Sequence, residues 1–330
     1  VVQGLNVAST AGAGIAGTGF GTLTVGSVSV AANGGPALDL ASGDVFGTFE
    51  ALSSSGSTGA GIRLVGIGGS FSAAGGTIAG ATTAGVDVTG GDGVFTYGGD
   101  VVATGPLAVF VANRTGGALT FGGTLASTGS GIAVQNGSGG SVAFTGPSKT
   151  LSTGTNPGVR LLNNGGATIS FAGGGLAVST TTGTGFEATG GGTVTVTGAG
   201  NTLVSAGGTA LRVENTTIGA AGLSFRNISA SGGSNGIVLN NTGAVNGLQV
   251  TGTGAAGSGG TITGMSGDGV RLDAATNVIL ANMTIQGNLG NGIAGANVTG
   301  FTLRNSTVLN NSDDAAADEA GIRFENLWGS

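Results

Sequence analysis

The residues with the most chemical capacity crowd into the last fifth of the chain. Asp268, Arg271, Asp273, Arg304, Asp313, Asp314, Asp318, Glu319, Arg323 and Glu325 all fall there. Elsewhere charge is scarce: Asp, Glu, Lys and Arg make up only 7% of 330 residues, against roughly 25% in ordinary soluble domains. On a strand, alternate side chains share a face, so Arg271 and Asp273 point the same way, as do Arg323 and Glu325. The chemistry this suggests is a charged groove for a sugar, with Arg271, Asp273 and Arg323 as the alternative to having no catalytic residue at all. No His, no Asp pair on a strand and no polar aromatic platform accompanies them. Register-setting ion pairs between neighbouring strands are the simpler reading. Asp313, Asp314, Asp318 and Glu319 form an Ala-rich acidic insertion whose oxygens suit Ca²⁺, with a solvated loop as the competing reading. No other cofactor is expected.

What must position these residues is a repeat. The phrase Gly-apolar-X-apolar recurs as Gly61–Leu64, Gly85–Val88, Gly131–Val134, Gly158–Leu161, Gly236–Leu239, Gly269–Leu272 and Gly321–Phe324. Ala37–Leu40, Ala108–Val111 and Ala210–Val213 repeat it with Ala, and Gly14, Gly185 and Gly292 open weaker copies. The anchors are separated by 23 to 33 residues, and a period of that size marks a stacked repeat. A second apolar pair follows each anchor, as in Leu119/Phe121, Val142/Phe144 and Ile169/Phe171, and a third short run follows that. Each run alternates with period two, and no stripe of helical period persists.

Three short strands per repeat cannot close as hairpins, because the same strand type returns only after a full turn. A coil solves this, with like strands stacking on like: an all-β parallel β-helix of about thirteen rungs, roughly 60 Å long at the usual strand spacing. Phe121, Phe144 and Phe171 should then stack inside. The outward X positions read Asp39, Arg63, Asp87 and later Arg160, Glu187, Arg212, so neighbours of opposite sign should pair. Glycine should serve the corners through positive φ or tight packing. Asn163-Asn164, Asn240-Asn241 and Asn310-Asn311 should form hydrogen-bonded turn ladders. Insertions at Thr251–Gly260 and Ser312–Ala317 should protrude.

Composition narrows the function. Gly 75 without a Gly-X-Y period, alongside regular apolar alternation, argues against both collagen and disorder. A net charge of -6, with Lys149 the only lysine, argues against nucleic acid. No apolar run reaches the ~18 residues of a membrane span. Zero Cys leaves no disulfide scaffold or thiolate metal site. Gly12–Gly17 fits a GxGxxG phosphate loop in letters but lacks the strand–helix frame. The Asn-X-Ser/Thr sequons, as at Asn136 or Asn215, follow from the Asn and Thr content.

Gly269-Val270-Arg271-Leu272, Asn291-Gly292-Ile293 and Gly321-Ile322-Arg323-Phe324, with their Asn-rich turns, resemble the right-handed parallel β-helix repeats of large bacterial surface and secreted proteins. That is the pectate-lyase-like superfamily. The likeness covers essentially the whole chain, more strongly after about Gly131. It implies a fold shared by pectate lyases, pectin hydrolases, phage tailspikes, adhesins and autotransporter passengers. In the lyases, the resemblance implies, carboxylates bind Ca²⁺ and an Arg or Lys removes a proton; in the hydrolases, paired Asp residues do acid–base work.

The chain opens in strand-like Val1–Val7, without a signal peptide, and closes partway through a rung at Arg323–Trp328, with no capping helix apparent at either end. The expectation is one β-helix domain over 1–330, a segment of something longer. Its partners would be neighbouring domains or identical subunits stacked through uncapped ends, with Trp328 as a plug, and cell-surface glycans. The function expected is non-enzymatic, extracellular and structural or adhesive: a stalk, adhesin segment or filament subunit. The alternative is a polysaccharide lyase, hydrolase or carbohydrate-binding module grooved near Arg271, Asp273 and Arg323.

Overall fold

In the computed structural model, residues 1–312 and 319–329 are described. They form thirty-four strands and no helix, paired in parallel throughout, as a β-solenoid of about 13 turns. The all-β parallel coil read from the repeat is the observed fold. Among the described residues no helix is long and apolar enough to cross a membrane. The chain groups into two compact units, Val1–Leu151 with Asn163–Ala172, and Ser152–Leu162 with Gly173–Ser330.

In the first unit the anchors stack in register, Leu38 on Ile62, Val86, Val109 and Ile132, and each is fully buried. The expected aromatic file is present. Phe121, Phe144 and Phe171 lie with centroids 5.2 and 4.7 Å apart and rings within 15° of parallel. A second stack, Phe71 on Phe95 at 4.7 Å, extends the aromatic interior toward the N-terminus. Within this unit the strands from Ala84–Thr89 onward are the expected short runs, whereas Leu38–Ser55 and Ile62–Gly75 run on through a corner. They can do so because one left-handed residue, Ser42 or Gly66, turns the chain while the ladder continues on both sides.

In the second unit Val159, Phe186, Leu211, Ile237, Val270, Ile293 and Ile322 stack in the same way. Ile262, Ile285 and Val308 form the ladder of the third strand. Residues 251–259 leave the coil and close on themselves, with Thr253 N donating to Ser258 Oγ at 2.9 Å. The last strand, Ile322–Trp328, pairs with Ile293–Arg304, and Trp328 is half-exposed. Ser312 is the only residue of the second expected insertion that lies within the described set.

One corner recurs in every rung. Four residues after each anchor the backbone is left-handed: Gly19, Ser42, Gly66, Gly90, Asn113, Asn136 and Asn163 in the first unit. Gly190, Asn215, Asn241, Ala274, Asn297 and Asn326 continue the series in the second. Asn suits this region because its short amide bonds locally, and here it also bonds between rungs. Asn241 Nδ2 donates to Asn215 Oδ1 at 3.0 Å, and Asn326 Nδ2 to Asn297 Oδ1 at 3.2 Å. The anchor glycine serves a different need. A Cβ on Gly158 would sit 2.2 Å from Val178 Cγ1 and 2.8 Å from Gly185 O, so bare backbone is required for close packing.

Phe144→Ala should cost about 3–5 kcal/mol, as deletion of a buried ring does, and equilibrium denaturation will read the loss. Asn241→Gly should be close to neutral, while Asn241→Val should cost about 1–3 kcal/mol through strain in the left-handed region.

Candidate functional site

The outward column of the first strand carries a run of charged side chains, and it is built by the register. In the first unit Asp39 and Arg63 meet at 2.8 Å. The third member, Asp87, accepts a hydrogen bond from Thr89 Oγ1 at 2.9 Å. In the second unit Glu187 lies between two arginines, 3.8 Å from Arg160 Nε and 4.0 Å from Arg212 Nη1. Arg212 also meets Glu214 at 2.6 Å. Glu214 was not anticipated as a partner; it lies two residues along the strand from Arg212, on the same outer face.

Below Val238 the column continues as Arg271, Ala294 and Arg323. The structure does bring the candidate residues together. Arg271 and Arg323 border two adjoining clefts of about 620 and 230 Å³, and Asp273 and Glu325 line the smaller. Ala294 stands between Arg271 and Arg323 in the column. One wall is a hydrogen-bond ladder that sequence reading missed. Asp268 N donates to Asn235 Oδ1 at 3.0 Å, Asn291 N to Asp268 Oδ1 at 2.9 Å, and Ala320 N to Asn291 Oδ1 at 2.8 Å. Its signal was the triplet Asx-Gly-Ile/Val at positions 235, 268 and 291. Each carboxyl or amide oxygen caps the next rung just before its anchor, so one Asp268 oxygen is committed to structure.

Of the Ca²⁺ candidates, Asp313, Asp314 and Asp318 lie outside the described residues, and Glu319 borders the larger cleft. Among the described residues no three His, Cys, Asp or Glu side chains converge to hold a metal.

Three ionisable groups are buried in the first unit instead. Lys149 is 1% exposed, and its ammonium donates to Gly146 O and, at 2.8 Å, to Ala172 O. Arg114 is 4% exposed and donates to Gly90 O at 2.7 Å, Gly116 O at 3.0 Å and Gly93 O. Tyr97 is fully buried, and its hydroxyl reaches Leu52 O at 3.0 Å. Burial lowers the pKa of both cations, with Asp92 partly offsetting the effect at Arg114. Burial, and then Asp100, raises that of Tyr97. Neutral amides do the same work elsewhere: Asn164 Nδ2 donates to Val134 O, and Asn201 Nδ2 to Thr197, Gly198 and Ser224 carbonyls. These side chains meet carbonyls that turning backbone leaves inside, where an unmet acceptor is costly.

No protein-family model, curated protein or solved structure matches the chain.

The depressed Lys149 pKa fixes a sign. The unfolded chain binds that proton more tightly than the folded one. Folding stability therefore rises with pH from the lowered folded value up to the ordinary lysine range, and Lys149 adds no slope below that window. Relative to Lys149→Met, the wild type should gain stability as pH climbs through that window. Denaturation profiles of the two proteins that stay parallel across it would contradict this.

Proposed function

We propose that the chain is a non-enzymatic structural segment of an extracellular or cell-surface protein, serving as a stalk, adhesin segment or filament subunit. Its fold would be the right-handed parallel β-helix of the pectate-lyase-like superfamily. The observation that supports this most is where the outward charge goes. Arg63 meets Asp39, and Arg160, Glu187, Arg212 and Glu214 form a continuous chain of ion pairs. Exposed pairs of this kind contribute only about 0–1 kcal/mol each. Their value is in register, since a slipped strand would place like charges side by side. Partners in this reading are neighbouring domains, identical copies and cell-surface glycans.

The two clefts at Arg271, Asp273 and Arg323 favour a second reading, a carbohydrate-binding module or a lyase or hydrolase of acidic polysaccharide. There the two guanidinium groups would grip a carboxylate-bearing sugar. The readings separate in one assay. The purified chain, incubated with Ca²⁺ and a panel of neutral and acidic polysaccharides, should release neither reducing ends nor unsaturated products. Turnover that Arg271→Ala abolishes would overturn the structural reading.

A further inference from the structure

A different cleft lies on the outer face of the second strand in the second unit. The strand Thr217–Phe225 carries extra residues: Val194 pairs with Ile218, but Val196 pairs with Leu223. The surplus bulges outward at Ala220 and Ala221, both exposed. Asn246 braces the bulge, its Nδ2 donating to Ala220 O at 2.8 Å. Beside it the outward column reads Ser224, Gln249, Ile279 and Thr302, one residue per rung. Asn277, left-handed at φ 52, hangs over Gly300, where a Cβ would come within 2.7 Å of its Oδ1. Together these groups enclose about 360 Å³.

The chemistry of this cleft is specific. Among the described residues no ionisable side chain lines it, so an ionic ligand would lose hydration without gaining a counter-charge. Its outward aliphatic groups, the small Ala221 and the half-buried Ile279, offer too little surface for a large apolar ligand. Among the described residues the amides of Gln249 and Asn277 hold no hydrogen bond, and each can donate and accept. The hydroxyls of Ser224 and Thr302 extend the same capability along the column. From Gln249 to Thr302 is a span of two rungs, about 9.6 Å at the usual strand spacing, the length of two pyranose rings. A sugar presents hydroxyls that both donate and accept around a C–H face that would sit on Ile279. We propose that this cleft binds an uncharged mono- or disaccharide unit, held by the Gln249 and Asn277 amides over Ile279. The site is independent of the structural reading above and of the Arg271 clefts, which would prefer an acidic sugar.

Saturation-transfer NMR on the whole chain tests it, with a panel of uncharged disaccharides beside uronate and sulfated ones. Uncharged members should bind, and added salt should leave their affinity unchanged. Gln249→Ala and Asn277→Gly should each weaken binding roughly tenfold, the effect of one lost polar contact. Both variants should keep the wild-type melting temperature, since Gln249 is exposed and Gly accepts the left-handed backbone at 277. Arg271→Ala should bind as wild type. If no uncharged disaccharide binds, if both amide variants bind undiminished, or if Arg271→Ala alone abolishes binding, the proposal fails. Polysaccharide cleavage in the earlier assay would defeat the structural reading and leave this one standing.

Discussion

A chain that coils in short strands must turn at every corner, and each turn strips a few backbone groups of their ladder partners. Water can meet those on the outside. Those facing inward must find a donor or acceptor inside, or the rung does not close. In this protein the left-handed residue four places after each anchor sharpens the turn and keeps most of the ladder intact. What remains is met by side chains whose only shared property is reach: Arg114 and Lys149 with charge, Asn164 and Asn201 without it. The apolar files of Val, Leu, Ile and Phe can stack only because the corners bring every rung back to the same register.

Much of this was legible from residues alone. The anchor spacing gave the coil, and the near-even steps gave the stacking of Phe121, Phe144 and Phe171, because equal periods place like residues above one another. Of the asparagine doublets, Asn240-Asn241 was legible as part of a ladder, whereas its partner Asn215 and the pair Asn297 and Asn326 stand outside any doublet. The division of labour among glycines was not. Apart from Gly131, which is itself left-handed, the Gly of the repeated phrase marks tight packing, while positive φ falls on a later position where Asn is more common than Gly. Sequence alone could not separate the two, since both appear as small or polar residues between apolar runs. Nor could it place Lys149 inside. Its neighbours Ser148 and Thr150 suggest a surface turn, and its burial depends on Ala172 O, a carbonyl supplied by a different rung, as well as on the nearby Gly146 O.

The sites divide along the same line. Arg271, Asp273 and Arg323 were found by period-two alternation, which survives folding unchanged. Asp268 and Asn291 were harder, because their role is to cap a rung that lies more than twenty residues away. The cleft at Gln249 and Asn277 could not be read beforehand, since it exists through a bulge that shifts register at Ile218 and Leu223. Alternation finds the side chains that share a face; depth in that face comes from irregularities whose size the pattern does not encode.

The burial of Lys149 has a consequence for the chemistry the molecule meets outside. It is the chain's only lysine, so no lysine amine stands on the surface. Reactions that consume surface amines, among them glycation, acylation, aldehyde crosslinking and enzymatic isopeptide formation, find no lysine side chain to attack along this stretch. Its covering of hydroxyls, amides and bare backbone gives such reagents very little to hold, and so the segment would stay chemically quiet in surroundings that progressively crosslink ordinary, lysine-rich proteins.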